Sequence, residues 1–286
     1  MRMPESMQKL LVQLSDTHIR LPGQLAYRRV DTSAFLERAV AAVLRLPQPA
    51  DAVVVTGDLT DFGRLAEYEQ LRALLAPLSC PVYLMPGNHD DPAEMRRAFP
   101  QHAYLAQRLA DDPGAGIDFA VDLGGWRLVA LDSSVTKAPH GEIDDGQLAW
   151  LAATLAQAPT TPTVLALHHP PFATRIGHMD DIGLRHGGEA LAAIVRGHRQ
   201  VERVISGHLH RSIQARWAGT VAMTSPSTAH QVALDLAADA ASAFVMEPPG
   251  FLIHAFTGTG PIVSHLAFTT AFDGPHPFHD AVGLID

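Results

Sequence analysis

The sequence predicts an α/β fold for this chain of 286 residues, and three observations lead to that prediction. Short apolar runs alternate with amphipathic segments through the first two-thirds of the chain, which is typical of strands alternating with helices. Several of these runs end in Asp, Asn or His, as strands do at the functional edge of an open α/β sheet. After His210 the runs become shorter and alternate in polarity, which indicates strands of a second sheet.

The individual elements follow in chain order. Strands are predicted at Leu10–Ser15, Ala52–Thr56, Val82–Met85, Trp126–Leu131, Thr163–Leu167 and Val201–Ser206. Helices are predicted at Thr32–Leu46, Arg64–Leu78, Asp144–Ala156 and Gly188–His198. The stretch "AVDLGGWRLVALD" predicts a hairpin that turns at Gly124 and Gly125.

The chain divides most simply into a core, residues 1–211, and a C-terminal region, residues 212–286. In the second part, the runs "SIQARWAG", "TVAMTS", "HQVALDL", "GFLIHAFTG" and "PIVSHLAF" predict strands that complete the second sheet. The stretch "AADAASAFVMEPPG" predicts an excursion between them. We expect the C-terminal region either to cap a site or to form an oligomer interface, although ordinary sheet edges would have the same sequence pattern.

Composition excludes several classes of protein. A net charge of −9 without a basic run argues against a nucleic-acid polymer as partner. No apolar stretch approaches the roughly 18 residues that span a bilayer, and the N-terminal residues lack the pattern of a signal peptide. The single cysteine, Cys80, excludes a disulfide framework and favours a reducing compartment. We therefore expect a cytoplasmic protein without a membrane partner.

Potential metal ligands follow five of the apolar runs. The runs are "LLVQLSDTH", "AVVVTGD", "VYLMPGNHD", "TVLALHHPP" and "RVISGHLH", and the donors are Asp16, His18, Asp58, Asn88, His89, His168, His169, His208 and His210. Because strand ends meet at one edge of a sheet, we expect these side chains to converge. Asp16 with His18, and His208 with His210, are spaced to lie on the same side of an extended segment. The glycines before Asp58, Asn88 and His208 allow sharp turns close to the cluster.

The types of donor indicate which metals the site binds. Oxygen and nitrogen ligands without cysteine suit manganese, iron, zinc or cobalt, and they disfavour a structural zinc site. So many donors exceed the needs of one catalytic ion. Two ions about 3.5–4 Å apart, sharing a carboxylate, would use them fully.

The ordered motifs "SDTH", "VVVTGDLTD", "PGNHDD", "HHPP" and "SGHLH" resemble those of the calcineurin-like metallophosphoesterases, from Leu10 to Arg211. Within that family the chain is most similar to bacterial class III cyclic-nucleotide phosphodiesterases and glycerophosphodiesterases, which also carry a segment like "PSTAHQV". The resemblance implies a four-layer α/β/β/α sandwich of two mixed sheets with a C-terminal extension. It also implies a catalytic core within residues 1–211, a homo-oligomer and two divalent ions per chain.

The resemblance assigns roles to individual residues. It places Asp16, His18, Asp58 and His210 on the first ion, and Asp58, Asn88, His168 and His208 on the second, with Asp58 bridging. The choice of His168 over His169 rests on the family pattern alone. His89 would contact the phosphoryl or leaving group beside Asn88, and His230 is a further candidate for substrate contact. Asp90 either orients His89 or caps the turn.

These roles predict hydrolysis of a small phosphodiester. Metal binding lowers the pKa of water from 15.7 to about 7, so a metal-bridging hydroxide would attack phosphorus in line with the leaving group. The ions also supply positive charge for an anionic substrate in an acidic protein. Asp58 would act in catalysis through the bridge, and His89 would protonate or stabilise the leaving oxygen.

Departures from other family members narrow the substrate. Protein phosphatases of the family carry phosphate-binding arginines where this chain has Phe62 and Pro86, which favours a diester over a protein monoester. Purple acid phosphatases carry a metal-binding tyrosine where this chain has Asp61, which argues against a tyrosinate-bound ferric site but leaves iron itself open.

Several alternatives stay open from the sequence. A broad phosphomonoesterase or a nuclease would use the same site, and a metal-free scaffold is a rival of another class. The preferred diester could be cyclic AMP, cyclic GMP, a glycerophosphodiester or a 2′,3′-cyclic nucleotide. Arg20, Tyr27 and Arg28 either line the pocket mouth or belong to a solvated loop.

Overall fold

The computed structural model describes residues 8–110, 112, 114–257 and 261–285. The strands are β1 (Lys9–Leu14), β2 (Ala52–Thr56), β3 (Val82–Met85), β4 (Phe119–Asp122), β5 (Arg127–Leu131), β6 (Gly141–Glu142), β7 (Thr163–Leu167), β8 (Leu184–His186), β9 (Val201–Ser206), β10 (Ile213–Trp217), β11 (Thr220–Thr224), β12 (Gln231–Val232), β13 (Phe244–Val245), β14 (Gly250–Phe256) and β15 (Val263–Phe268). The α-helices are α1 (Thr32–Leu44), α2 (Leu65–Leu75), α3 (Pro92–Ala98), α4 (Asp145–Ala156), α5 (Gly177–Asp180) and α6 (Gly188–Gly197).

Two mixed sheets form the centre of the molecule. One has five strands in the order β15-β14-β1-β2-β3, and β1, β2 and β3 are parallel. The other has six strands in the order β10-β11-β9-β7-β5-β4, and its four inner strands are parallel. The edge strands β4 and β10 run antiparallel to their neighbours, as do β14 and β15 in the first sheet. The predicted α/β class with mixed sheets is confirmed.

Side-chain alternation on the strands builds four layers. On β5, Leu128 and Ala130 belong to the core that fills the space towards the five-stranded sheet. Val129 and Leu131 point the other way and pack with α4 and α6. Successive strand residues face opposite sides of a sheet, so one apolar run supplies two cores. Helices α1, α2 and α3 cover the outer face of the five-stranded sheet.

Local signals fix where the helices begin. Asp31 caps α1 by accepting a hydrogen bond from the backbone N–H of Ala34 at 3.1 Å. Asp144 and Gln147 form a reciprocal capping box at the start of α4, with bonds of 2.7 and 3.0 Å. Such caps satisfy backbone donors that have no partner within the helix.

The predicted elements and the observed ones differ at their ends and in the C-terminal region. Four strands have the predicted bounds: β2, β3, β7 and β9. Helices α1 and α2 end at Leu44 and Leu75, two and three residues earlier than predicted. The short helix α3 was not predicted, because its seven residues are too few to establish a period.

The C-terminal strands do not all complete the second sheet, which corrects the prediction made for residues 212–286. Strands β10 and β11 extend the six-stranded sheet, but β14 pairs with β1 and β15 pairs with β14 in the five-stranded sheet. The reason is burial: Phe251, Leu252 and Ala255 of β14 are almost inaccessible, so this strand fits beside β1 inside the first sheet. Strand β15 then covers the edge that β14 would otherwise present.

The described helices include none that is both long and apolar enough to cross a bilayer. Strands β1, β2 and β3 are parallel, and so are β7 and β9. The loops that follow these five strands carry the ligand motifs to one end of the sandwich.

Candidate metal centre

The first group of donors surrounds the end of β1. Asp16, His18, Asp58 and His210 are buried and offer ligand atoms that all lie within 4.8 Å of one another. The Nε2 atoms of His18 and His210 are 3.2 Å apart. The same His210 atom lies 3.5 Å from Asp16 Oδ1, and His18 Nε2 lies 3.6 Å from Asp58 Oδ2. Four side chains from three loops thus face a common point.

A second group meets the first at Asp58. His168 Nε2 lies 3.4 Å from Asp58 Oδ2 and 3.2 Å from Asn88 Oδ1. His208 Nδ1 also lies 3.2 Å from Asn88 Oδ1. Because Asp58 Oδ2 contacts both His18 and His168, its carboxylate is common to the two groups.

Backbone carbonyls set the tautomers of two of these histidines. His168 Nδ1 donates to the carbonyl of Thr56 at 2.8 Å, and His210 Nδ1 donates to the carbonyl of His230 at 3.0 Å. A carbonyl oxygen only accepts, so the proton of each neutral ring is on Nδ1. The Nε2 lone pairs are then directed at the cluster, in the orientation that a metal ligand requires.

The carboxylates of the cluster favour the binding of cations. Burial alone would lower the pKa of His168, but the carboxylates of Asp58 and Asp16 outweigh it and raise that pKa to about 9. Asp16 Oδ2 is buried and has no hydrogen-bond partner among the described residues. The carboxylates thus favour positive charge beside His168 Nε2, which either a proton or a metal ion can supply. The donor set therefore fits divalent metal ions, which prefer these oxygen and nitrogen ligands.

Five of the donors have left-handed backbone conformations, which corrects the expectation of extended D-x-H and H-x-H segments. The φ angles are 52° at Asp16, 44° at His18, 48° at Asp58, 67° at His208 and 49° at His210. Strands β1 and β9 end before these residues, so the side chains converge through tight turns and not through strand alternation. Left-handed non-glycine residues cost free energy and concentrate at functional sites.

Two glycines allow the loops to approach one another. Gly57 has φ +86°, and a Cβ atom there would lie 2.3 Å from His168 Nδ1. A Cβ atom at Gly87 would lie 2.3 Å from Asp58 Oδ1. Any larger residue at these positions would displace a donor side chain.

His168 and His169 have different partners. His168 faces Asp58 and Asn88, as described above. His169 Nδ1 accepts a hydrogen bond from Ser133 Oγ at 2.9 Å, and its Nε2 donates to the carbonyl of Pro139 at 3.2 Å. Both nitrogens of His169 are therefore engaged, although its ring packs 4.6 Å from that of His208.

The two acidic residues of "GNHDD" have structural partners. The Asp90 carboxylate accepts hydrogen bonds from the backbone N–H groups of Leu59, Thr60 and Gly87, at 2.9, 3.2 and 2.9 Å. Asp90 thus ties the Asp58 loop to the Asn88 loop, so of the two roles left open the structure supports turn capping. Asp91 caps α3 by accepting from Ala93 and Glu94.

Sequence reasoning missed the part played by Asp61. Its backbone oxygen accepts from His89 Nδ1 at 3.0 Å, and its carboxylate lies 3.4 Å from His18 Nδ1. Its backbone oxygen orients the His89 imidazole, and its carboxylate lies beside the His18 ring, whereas the sequence indicated only that residue 61 is not a tyrosine. Its signal was its position three residues after Asp58 in "GDLTD". The His89 backbone N–H donates to Asp58 Oδ1 at 3.0 Å, and its side chain remains 35% exposed.

His230 lies beside the first group of donors. Its ring centroid is 4.7 Å from that of His210 and 5.1 Å from that of Tyr27. Burial lowers the pKa of His230 to about 3, so its ring is neutral. Phe244, from the predicted excursion, packs against both Tyr27 and His230, a contact that no sequence pattern signalled.

A cavity of about 630 Å³ opens beside the donors. It is lined by Arg20, Leu25, Tyr27, Arg28, Asp61, Phe62, Asn88 and His89. The residues for which the sequence left two alternatives, Arg20, Tyr27 and Arg28, therefore lie at the mouth of the donor site.

Comparison with known proteins identifies the family. A family model described as calcineurin-like phosphoesterase matches residues 10–212. The chain is 34% identical over 278 residues to a probable glycerophosphodiester phosphodiesterase GpdQ of Arcobacter nitrofigilis, covering 97% of this chain and all of the relative (100%). It is 37% identical over 224 residues to a probable cyclic nucleotide phosphodiesterase of Rhodococcus erythropolis, covering 77% of this chain and 71% of the relative. The chain belongs to the calcineurin-like phosphoesterase family, and it is therefore a metal-dependent phosphoester hydrolase.

A solved structure shares the fold. A dimetal phosphatase from Danio rerio superposes with a TM-score of 0.61 over 92% of this chain and 99% of that one, at 17% identity. At that identity the likeness establishes the fold alone.

Proposed function

We propose that this protein hydrolyses small phosphodiesters with two divalent metal ions. The observation that carries the proposal is the Asp58 carboxylate, which contacts one imidazole of each donor group at 3.6 and 3.4 Å. A carboxylate shared in this way is the usual bridge of a two-metal site. The relatives named as glycerophosphodiester and cyclic nucleotide phosphodiesterases support the substrate class.

The donor groups suggest how the ligands divide between the ions. The first ion would be held by Asp16, His18, Asp58 and His210, and the second by Asp58, Asn88, His168 and His208. Manganese, iron, zinc and cobalt all accept this set of oxygen and nitrogen donors. When bound, the ions would supply Lewis acidity that activates water and neutralises charge on the phosphoryl oxygens.

The chain itself would position the substrate and move a proton. Asn88 is uncharged, so it adds no repulsion against an anionic substrate. His89 Nδ1–H donates to the carbonyl of Asp61, which aligns the ring. In the cationic form of His89 the remaining Nε2–H can donate to the departing oxygen, the role of a general acid. His230 is held neutral beside the site and can contact the substrate as a hydrogen-bonding group.

The pocket suits a diester better than a monoester. Phe62 and Pro86 occupy the positions of the arginines that bind a phosphate dianion in family phosphatases. Arg20 lies nearby but is paired with Asp61 at 2.9 Å, and its guanidinium stacks on Phe62 at 4.5 Å. A diester monoanion needs less positive charge than a monoester dianion.

The proposal also covers the role of the C-terminal region and the cellular location of the protein. Strand β15 is an edge strand with Val263, Leu266 and Phe268 each more than 40% exposed, which supports a homo-oligomer interface in residues 212–286. Phe244 and His230 of the same region pack against Tyr27, which supports a cap over the site. A single cysteine in the sequence supports a cytoplasmic location.

A substrate comparison tests the proposal. The chain is loaded with manganese, zinc, iron or cobalt in turn, and kcat/KM is measured for bis(p-nitrophenyl) phosphate and p-nitrophenyl phosphate. We expect the diester to be preferred with at least one metal. Equal or faster turnover of the monoester with every metal would instead favour a phosphomonoesterase. Binding of less than one ion per chain after supplementation would favour a metal-free scaffold.

A further inference from the structure

Arg28 has a backbone conformation that arginine rarely adopts. The φ angles of Tyr27 and Arg28 are 49° and 56°, so two successive residues with side chains lie in the left-handed region. Glycine occupies this region without the steric cost that a Cβ atom brings. The turn itself is firmly closed, because Ala26 and Val30 exchange two backbone hydrogen bonds of 2.9 Å and both are buried.

Packing accounts for Tyr27 but not for Arg28. The Tyr27 ring contacts His230 and Phe244, with both centroids 5.1 Å away. The Arg28 side chain is exposed and has no hydrogen-bond or ion-pair partner among the described residues. Its contribution to the fold does not explain why a strained position carries a long cationic side chain.

The location of Arg28 suggests a use for its charge. It lines the same cavity as Asn88 and His89, which lie at the proposed site of hydrolysis. The other arginine of the cavity, Arg20, is neutralised by Asp61 at 2.9 Å. Arg28 is thus an arginine of this cavity that no carboxylate neutralises within the described part of the chain.

The cavity has room for more than a phosphodiester group. Its volume of about 630 Å³ is that of a site for a whole small molecule. An alcohol esterified at the proposed metal centre would extend from Asn88 and His89 towards the mouth, where Arg28 lies. A guanidinium binds carboxylates and phosphates through paired, charge-assisted hydrogen bonds.

We propose that Arg28 determines substrate specificity by binding a second anionic group, a carboxylate or a phosphate, on the alcohol of the phosphodiester. This inference rests on the proposed function of the metal centre. The preferred substrates are then phosphodiesters that carry at least two negative charges. General attraction of anions by the charge of this loop would be weakened by the loss of either Arg28 or Arg29, whereas a specific contact depends on Arg28 alone.

A matched pair of substrates tests the carboxylate. Glycerophosphoserine and glycerophosphoethanolamine differ by one carboxylate and share the rest of the structure. For the metal-loaded wild-type enzyme we expect kcat/KM to be roughly five- to tenfold higher for the serine diester, as for one partly exposed charge-assisted bond. Thymidine 5′-(p-nitrophenyl phosphate), with and without a 3′-phosphate, tests the phosphate in the same way.

Three variants locate the contact. Arg28→Gly should bring the preference close to one, and Arg28→Lys should retain part of it because the charge remains. Arg29→Gly is the matched control, since Arg29 is the next residue, is also exposed and does not line the cavity. It should keep the wild-type preference. Inhibition of bis(p-nitrophenyl) phosphate hydrolysis by phosphoserine and phosphoethanolamine gives a second readout, with the stronger inhibitor again carrying the carboxylate.

The results separate this inference from the function on which it rests. Hydrolysis of diesters without a preference for the second anion in either pair, or with a preference that Arg28→Gly leaves intact, would overturn the role of Arg28 alone. Failure of the metal-loaded enzyme to hydrolyse any diester, bis(p-nitrophenyl) phosphate included, would overturn the proposed function and this inference together.

Discussion

Asn88 is placed between the two histidines of the second donor group, with its Oδ1 atom 3.2 Å from each. Its motif was visible in the sequence because "PGNHDD" follows an apolar run. The grouping of Asn88 with His168 and His208 followed only from the family resemblance, because residue types alone do not show how the strands are ordered in two sheets. Single residues were thus predictable as donors from the sequence pattern, while their grouping required the resemblance.

Asn88→Ala should lower kcat for bis(p-nitrophenyl) phosphate by about 100-fold or more, since removing even an indirect partner of a metal ligand costs 10–100-fold. The midpoint of thermal unfolding should change little, because Asn88 is only partly buried. Gln101→Ala, at an exposed position, is the control. An unchanged rate in Asn88→Ala would contradict the assigned role.

Arg28→Gly should also make the protein more stable. Removing the side chain of a left-handed residue relieves about 1–2 kcal/mol of steric strain. Part of this gain is offset because glycine gives the unfolded chain more conformational entropy. Arg29 has no positive φ, so Arg29→Gly should leave stability equal or lower it. Urea unfolding of the chelated proteins measures both changes. A loss of stability in Arg28→Gly would show that the turn does not store strain.

The secondary-structure elements were predicted best where both faces are buried, because such burial requires an unbroken run of apolar residues. Strands β2 and β7 are buried throughout and read as unbroken apolar runs, so their bounds were predicted correctly. The loop after β2 was predicted to turn sharply before Asp58, but the left-handed conformation of Asp58 was not predicted, because Asp carries no obligatory signal for that conformation. Helix α3 was missed, although its Asp91-Pro92 start is a recognisable cap.

Gly57 tests how the loop after β2 supports the site. Gly57→Ala introduces a Cβ atom 2.3 Å from His168 Nδ1, at φ +86°. We expect a loss of roughly 2 kcal/mol or more in the free energy of unfolding, together with weaker metal binding. Gly219→Ala is a matched control, because Gly219 has φ +89° but open space around its Cβ position. Equal effects of the two substitutions, measured by urea unfolding and metal titration, would refute the role of close approach.

On the scale of the whole molecule, a polar network joins the layers between the sheets. Gln13 Nε2 donates to Thr56 Oγ1 and to the carbonyl of Ser206, both at 2.9 Å. Its Oε1 accepts from His254 Nε2 at 3.1 Å, and Ser264 bonds the other ring nitrogen at 2.8 Å. Strands from both sheets are linked in this way. Thr56, whose carbonyl orients His168, belongs to the same network. No motif in the sequence pointed to His254.

His254 should make the fold sensitive to acid. Burial lowers its pKa to about 3, with a smaller effect of Arg203 in the same direction. In the unfolded chain His254 binds a proton near pH 6.5, whereas in the folded protein it does so only near pH 3. The free energy of unfolding is therefore highest above pH 6.5 and falls as the pH drops towards 3. At pH 5 the loss should be about 2 kcal/mol.

The variant His254→Gln should show a shallower decline between pH 6.5 and pH 5, although it is less stable at neutral pH. Unfolding is measured by urea in the presence of a chelator, so that loss of metal at low pH does not contribute. Parallel curves for wild type and variant would contradict the assignment of this acid sensitivity to His254.

The most direct test of the two-metal centre is an X-ray anomalous difference map of crystals of the manganese-loaded protein. The account predicts two peaks per chain on either side of the Asp58 carboxylate, one beside Asp16 and His210 and the other beside Asn88 and His208. A single peak, or peaks that do not share Asp58, would contradict it.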